Sequence, residues 1–224
     1  MTKQERYEEL VKKRKAHPFL NGLQNPSKIA DGLHDCNHIG AWSQWHGEID
    51  AKILLIAQDW GDVECFIRNN GEEDDENPTN KNLQKLFLKI GIDIGLPTEP
   101  KHQPIFFTNA ILGIKGNEGE KKMAGAVESS WIKDSTEHFT KELIDIIQPK
   151  FIITLGAKPL YALQLIYPEI QKEKLSILIH KNPIQLNNGT QLFAFYHCGG
   201  LGLVNRKLDD QLQDWQKAKS FINL

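Results

Sequence analysis

The sequence predicts a three-layer α/β/α domain on a short, mainly parallel central sheet, and three observations predict it. Four apolar runs, Ile53–Ala57, Ile105–Phe107, Phe151–Leu155 and Leu192–Tyr196, each stop abruptly at small or polar residues. Short runs apolar at every position suit strands covered on both faces, as parallel strands are. Segments of helical spacing lie between them. The length, 224 residues, suffices for one well-buried core.

Taken in order, residues 3 to about 16 place Tyr7, Leu10 and Val11 on one side of a helix, with Lys12, Lys13, Arg14 and Lys15 largely in solvent. Residues 17–50 are punctuated by Pro18, Asn21-Gly22, Asn25-Pro26 and Asp31-Gly32 and read as an irregular arm. Phe19, Leu20, Trp42 and Trp45 are its anchors. The chain therefore divides into an N-terminal helix and arm, 1–50, laid over an α/β domain, 51–224.

Within that domain the first strand covers roughly 52–57, and Gly71–Glu76 (Gly-Glu-Glu-Asp-Asp-Glu) is expected as an exposed acidic loop. Leu83, Leu86, Phe87 and Ile90 give Asn80–Ile90 a helical period that Gly91 stops. A second strand covers about 104–109. Gly113–Gly125, rich in glycine and lysine, reads as a mobile surface loop. Residues 132–147 form a helix with Phe139, Leu143, Ile146 and Ile147 inward, ended at Pro149. A strand at 151–155 and a helix from about 157 to 166 follow. Leu175–Ile179 and 191–196 flank Asn187-Asn188-Gly189 as an antiparallel excursion. A helix over 207–222, with Leu208, Leu212, Trp215 and Ile222 on its apolar side, closes the chain.

Composition limits function. No run approaches the ~18 apolar residues of a membrane span. The first ten residues hold no apolar signal core, and three cysteines without framework spacing suit a reducing, cytoplasmic setting. Net charge is −2, so a nucleic-acid partner must be met by local positive charge.

Ligands of open α/β sheets bind beyond the carboxyl ends of the strands. Asp59, Asn109 and His197 all follow such ends, and each has a functional and an ordinary reading. Asp59, after Gln58, can hold a water and stabilise developing positive charge, or merely cap the next turn. The Asn109 amide carries donor and acceptor in one plane and can read a pyrimidine edge, or tie two loops together. His197 can donate to an oxygen gaining negative charge while Gly199 and Gly200 admit a phosphate, or satisfy a neighbouring carbonyl. Lys115, with Lys121, Lys122, Lys158, Lys181, Arg206 and Lys207, offers a basic rim; scattered surface charge gives such a set by chance as well. His34, Cys36, His38 and His46 form a metal-like grouping, but His-x-Cys-x-His is not a standard site, so no metal is expected. Cys198 beside His197 suggests a nucleophile, although adjacent strand-end side chains point apart.

These segments resemble the uracil-DNA glycosylase superfamily in order and spacing, from about Lys52 to Trp215. Ala57-Gln58-Asp59-Trp60-Gly61 is similar to its first motif, Gly-Gln-Asp-Pro-Tyr in the best-known branch. Phe107-Thr108-Asn109-Ala110 is similar to the second-strand motif. Leu83–Gly91 and Gln148-Pro149-Lys150 into Leu155-Gly156-Ala157 resemble connecting segments of the thermostable branch. His197–Arg206 resembles the closing His-Pro-Ser motif and its DNA-contacting loop.

The resemblance implies a DNA-repair glycosylase that flips out a deaminated base, uracil first, and hydrolyses its bond to deoxyribose without a cofactor. It implies Asp59 and His197 as catalytic residues, and Gln58, Trp60, Gly61, Phe66 and Asn109 around the base. It implies Leu201 as a wedge into the vacated stack, and Lys115, Gly156, Gly199, Gly200 and Arg206 against phosphates. The partner would be DNA carrying the altered base, the protein a monomer, and membranes would play no part. Trp60-Gly61 stands where the family has Pro-Tyr, Cys198-Gly199 where it has Ser-Pro, and the iron–sulfur cysteines are missing. Two alternatives stay open: a non-catalytic nucleic-acid-binding member, or a hydrolase of free nucleosides or nucleotides.

Overall fold

The computed structural model describes residues 1–116, 127–170, 172–181 and 183–222; Lys121 and Lys122 lie outside them. The chain runs α1 (Lys3–Ala16), β1 (Leu23–Gln24), β2 (Ile53–Ala57), α2 (Val63–Arg68), α3 (Pro78–Lys89), β3 (Ile105–Asn109) and β4 (Ile114–Lys115). It continues with α4 (Ser129–Ser135), a π turn (Thr136–Thr140), α5 (Lys141–Ile147), β5 (Phe151–Leu155), α6 (Ala157–Ile166) and α7 (Leu175–Leu178). β6 (Ile184–Gln185), β7 (Gln191–Phe195), α8 (Gly200–Asn205) and α9 (Leu208–Ala218) complete it.

The central sheet has the order β3-β2-β5-β7-β6, with only β6 antiparallel. Each parallel strand alternates its side chains between two cores, which is why the runs are apolar at every position. Leu54, Ile56, Phe106, Ile152, Leu192 and Ala194 face the core shared with α1, α5 and α6. Ile53, Leu55, Ile105, Phe107, Ile153, Phe193 and Phe195 face the core shared with α3 and α9. The architecture is the expected α/β/α sandwich. Because β2 sits between β3 and β5, the order reverses there, and a crevice opens beyond its carboxyl end.

Helix ends follow the local chemistry. Thr2 and Glu5 form a reciprocal capping box on α1. Asn77 caps α3 with Pro78 in its first turn. Gln148 takes left-handed backbone (φ 53°) to end α5 before Pro149.

Several expectations fail for identifiable reasons. Leu175–Ile179 is no strand: Leu175–Leu178 is one helical turn, and Ile184–Gln185 supplies the antiparallel partner of β7. Arg14 is not in solvent but fully buried, donating to Asp35 Oδ1 at 2.6 Å and to the Cys36 and His38 carbonyls, so it pins the arm to α1. Leu20 is no anchor; it is exposed, whereas Trp42 and Trp45 are buried. The first part of the expected loop Gly113–Gly125 is not at the surface, because β4 pairs with β1 and Gly113–Gly116 are buried; residues 117–125 lie outside the described residues. The arm also lines the edge of β3, where Phe107 N–H donates to the His46 carbonyl at 2.8 Å. His34, Cys36, His38 and His46 do not converge: among the described residues no three of them bring ligand atoms together, and His46 Nε2 bonds the Ile94 carbonyl. Among the described residues no helix is long and apolar enough to cross a membrane.

Candidate active site

β2 ends by delivering Gln58 and Asp59 to the crevice. Gly61 follows with φ at +120°, a conformation that favours glycine and turns the chain back sharply. The turn aims the Gly61 N–H at Asp59 Oδ1 (3.1 Å), and the Gln58 amide donates to Asp59 Oδ2 (2.8 Å). Lys115 Nζ closes the set 3.2 Å from Oδ1, with both side chains under a tenth exposed. Lys115, expected as a phosphate contact on the rim, is thus an inner residue paired with the carboxylate.

Asn109 ends β3, one strand over, in register with Ala57. It is 5% exposed, and among the described residues its side-chain amide makes no hydrogen bond. Its donor and acceptor are therefore left for whatever enters from the cavity side. It faces a cavity of about 170 Å³ lined also by Trp42, Asp59, Trp60, Gly61, Glu73 and Asn80. That is below the roughly 300–1,000 Å³ of pockets for drug-sized ligands and suits a single flat ring.

His197 follows β7. Its Nδ1 accepts the Gly199 N–H at 2.9 Å, so the neutral ring carries its proton on Nε2. Burial lowers its pKa below the ordinary value, and the Asp59 charge opposes that shift. At neutral pH it is therefore an uncharged donor. A Cβ on Gly199 would lie 2.6 Å from Thr79 Oγ1 and 2.8 Å from His197 Cε1, and one on Gly202 1.9 Å from the His197 carbonyl. Both glycines let the chain fold tightly around the imidazole.

His197, Gly199, Gly200, Leu201 and Lys115 line a second cavity of about 420 Å³. Asp59 and Thr79 line both cavities, so the small pocket and the wider groove adjoin at one carboxylate. Leu201 stands at the groove, 75% exposed, and Val204 on the same short helix is 84% exposed.

Other expected contacts are arranged differently. Gly156 (φ +103°) donates its N–H to the Phe195 carbonyl at 2.7 Å, and the Gly199 N–H belongs to His197, so neither is a free phosphate donor. Arg206 is held by Asp214 through Nε and Nη2, the latter at 2.8 Å from Oδ1, which ties α8 to α9. Phe66 is 1% exposed and packs edge-on behind Trp60, 5.3 Å between centroids, outside the pocket wall. Cys198 is buried, donates to the Thr79 carbonyl and has its thiol pushed up to about 12 by burial, which leaves it unsuited as a nucleophile.

Sequence reasoning missed Trp42, Glu73 and Asn80. Glu73 points inward from the acidic stretch, accepting from Asn80 Nδ2 at 2.7 Å. Burial raises its pKa; the Asn80 bond and the nearby Trp60 indole oppose the rise. Among the described residues Trp60 Nε1 itself is buried without a hydrogen bond of standard geometry. One signal was available: a helix returning from a parallel strand starts at that strand's carboxyl edge, and the Asn77-Pro78 cap fixes that start. Among the described residues no three His, Cys, Asp or Glu ligand atoms converge in the crevice. No family model and no curated protein sequence matches this chain.

Proposed function

We propose that this protein is a DNA glycosylase that takes a deaminated base, uracil foremost, out of the helix and hydrolyses its glycosidic bond. The observation that carries the reading is the Asn109 amide, free of hydrogen bonds among the described residues, in a one-ring pocket that shares Asp59 with the His197 groove. Asn109 offers a donor and an acceptor to the edge of uracil. As the bond from C1′ to N1 breaks, its electron pair moves into the base, and His197 Nε2–H stabilises the charge on the pyrimidine oxygen. Asp59 stabilises the oxocarbenium-like sugar and holds the water that adds at C1′; the proton this water gives up passes through the Asp59 carboxylate or solvent to the departing uracil anion. No cofactor is required. Leu201, exposed at the groove, fills the gap left in the stack. Work on cellular DNA in a cytoplasmic setting accords with this reading.

One observation favours a second reading, a non-catalytic binder of altered DNA: the Lys115 charge opposes that of Asp59. Oligonucleotides with a single uracil, single- or double-stranded, separate the two. Release of free uracil, lost in Asp59→Asn and His197→Ala, supports the glycosylase. Preferential binding without release supports the binder, and neither outcome leaves DNA as the wrong substrate.

A further inference from the structure

Far from the crevice in sequence, three ligating side chains converge where the arm leaves α1. His17 Nε2 lies 2.9 Å from Asp134 Oδ2, and His138 Nε2 lies 3.7 Å from Asp134 Oδ1. All three ligand atoms fall within 4.8 Å of one another. Asp134 and His138 are four residues apart on one helical face. His138 belongs to the π turn Thr136–Thr140, a distortion frequent at functional sites.

We propose that His17, Asp134 and His138 bind a divalent transition-metal ion of zinc type. Two imidazole nitrogens and a carboxylate oxygen are a ligand set zinc accepts, whereas magnesium and calcium prefer oxygen throughout. Bonds of about 2.0–2.1 Å in tetrahedral geometry separate ligand atoms by roughly 3.3 Å, so small side-chain shifts complete the site. The His17 ring is held edge-on against Phe139 (5.0 Å) and Phe19 (4.8 Å), which fixes its direction by packing. His138 is 41% exposed, giving the ion an entry path and room for water as the fourth ligand.

The ion's place suggests its task. His17 starts the segment whose β1 pairs with β4, and β4 carries Lys115. Asn25 Nδ2 also bonds the His17 carbonyl at 2.9 Å, and Trp131 Nε1 the Asn21 carbonyl at 3.0 Å. An ion here fastens that segment to the helix over Ser129–Ile147.

The test is titration of the chelator-treated full chain with Zn2+, and with Co2+ as a spectroscopic probe. One equivalent should bind, and the thermal midpoint should rise by roughly 5–10 °C at about one hundred times the dissociation constant. His138→Ala and Asp134→Asn should weaken binding about tenfold or more, with the metal-free midpoint of His138→Ala near that of the parent because its side chain is 41% exposed. His34→Ala should bind as the parent does. No saturable binding, equal binding by both site variants, or loss in His34→Ala instead overturns the assignment.

Discussion

Lys115 Nζ lies 3.2 Å from Asp59 Oδ1 in a pair whose side chains are only 6% and 8% exposed. Removing one partner of a buried pair strands the other charge, at a cost of about 3–5 kcal/mol. Lys115→Met and Asp59→Asn should each destabilise the fold, and the double variant should lose much less than their sum. Denaturant unfolding of the four proteins measures the coupling; strict additivity would mean that the contact carries no energy. Base release separates the partners further, because Asp59→Asn should lower kcat by about 10²–10³.

Asn109 lines the small cavity, and among the described residues its amide makes no hydrogen bond. Asn109→Leu, similar in size, should leave the stability of the ligand-free protein within about 0.5 kcal/mol while lowering kcat/KM by at least ~10². Thermal unfolding and uracil release, measured on the same preparation, check both halves. A variant less stable than the parent by more than that margin would show that the amide has a structural partner after all.

What the sequence disclosed and what it hid follow from range. The four strands declared themselves because each is buried on both faces over four or five residues, and their ends delivered Asp59, Asn109 and His197 to one edge. Leu175–Ile179 looked like a fifth strand since a short apolar run has no period that separates strand from helix; with Ile177 49% exposed, it is one helical turn. Glu73 could not be told from its acidic neighbours, because its inward turn depends on an Asn80 bond made after the chain reverses. Lys115 and Asp59, or His17 and Asp134, are joined only by the tertiary fold.

Burial holds the His46, His197 and His38 imidazoles below their ordinary value of 6.5, His46 at about 4. A lowered histidine pKa means that the unfolded chain binds more protons between the two values. The stability each contributes is complete above pH 6.5 and is lost as pH falls through 6.5 toward the lowered pKa, about 4 for His46. Each group adds at most about 1.4 kcal/mol per pH unit inside its window. Glu73, raised above 4.5, acts in reverse and loses stability as pH rises. Unfolding between pH 4 and 7 should therefore show a net fall toward acid, shallower in His46→Gln, whose amide can still donate to the Ile94 carbonyl. An unchanged slope in that variant would remove His46 from the account.

Arg206 is clasped by Asp214, whose side chain is 1% exposed. Arg206→Ala leaves that carboxylate buried with, among the described residues, Lys217 as its remaining cation, 3.7 Å away, and should destabilise the fold by about 3 kcal/mol. Because the guanidinium is engaged with α9, the slope of log affinity for DNA against log salt should stay as in the parent. A phosphate contact would lower that slope by about one.

Leu201 separates a folding role from a DNA role most cleanly. Its side chain is 75% exposed, so Leu201→Ala should shift stability by no more than ~0.5 kcal/mol. On duplex DNA the vacated stack must be filled by something, and a wedge at the groove offsets part of the unstacking cost. A uracil already unpaired in a single strand has no such gap to fill. Leu201→Ala should therefore slow release from duplex about tenfold while leaving single-stranded release nearly unchanged. Equal losses on both substrates would assign Leu201 to contacts with the nucleotide itself, and equal rates on both would leave the exposed apolar pair of Leu201 and Val204 without a part in base eversion.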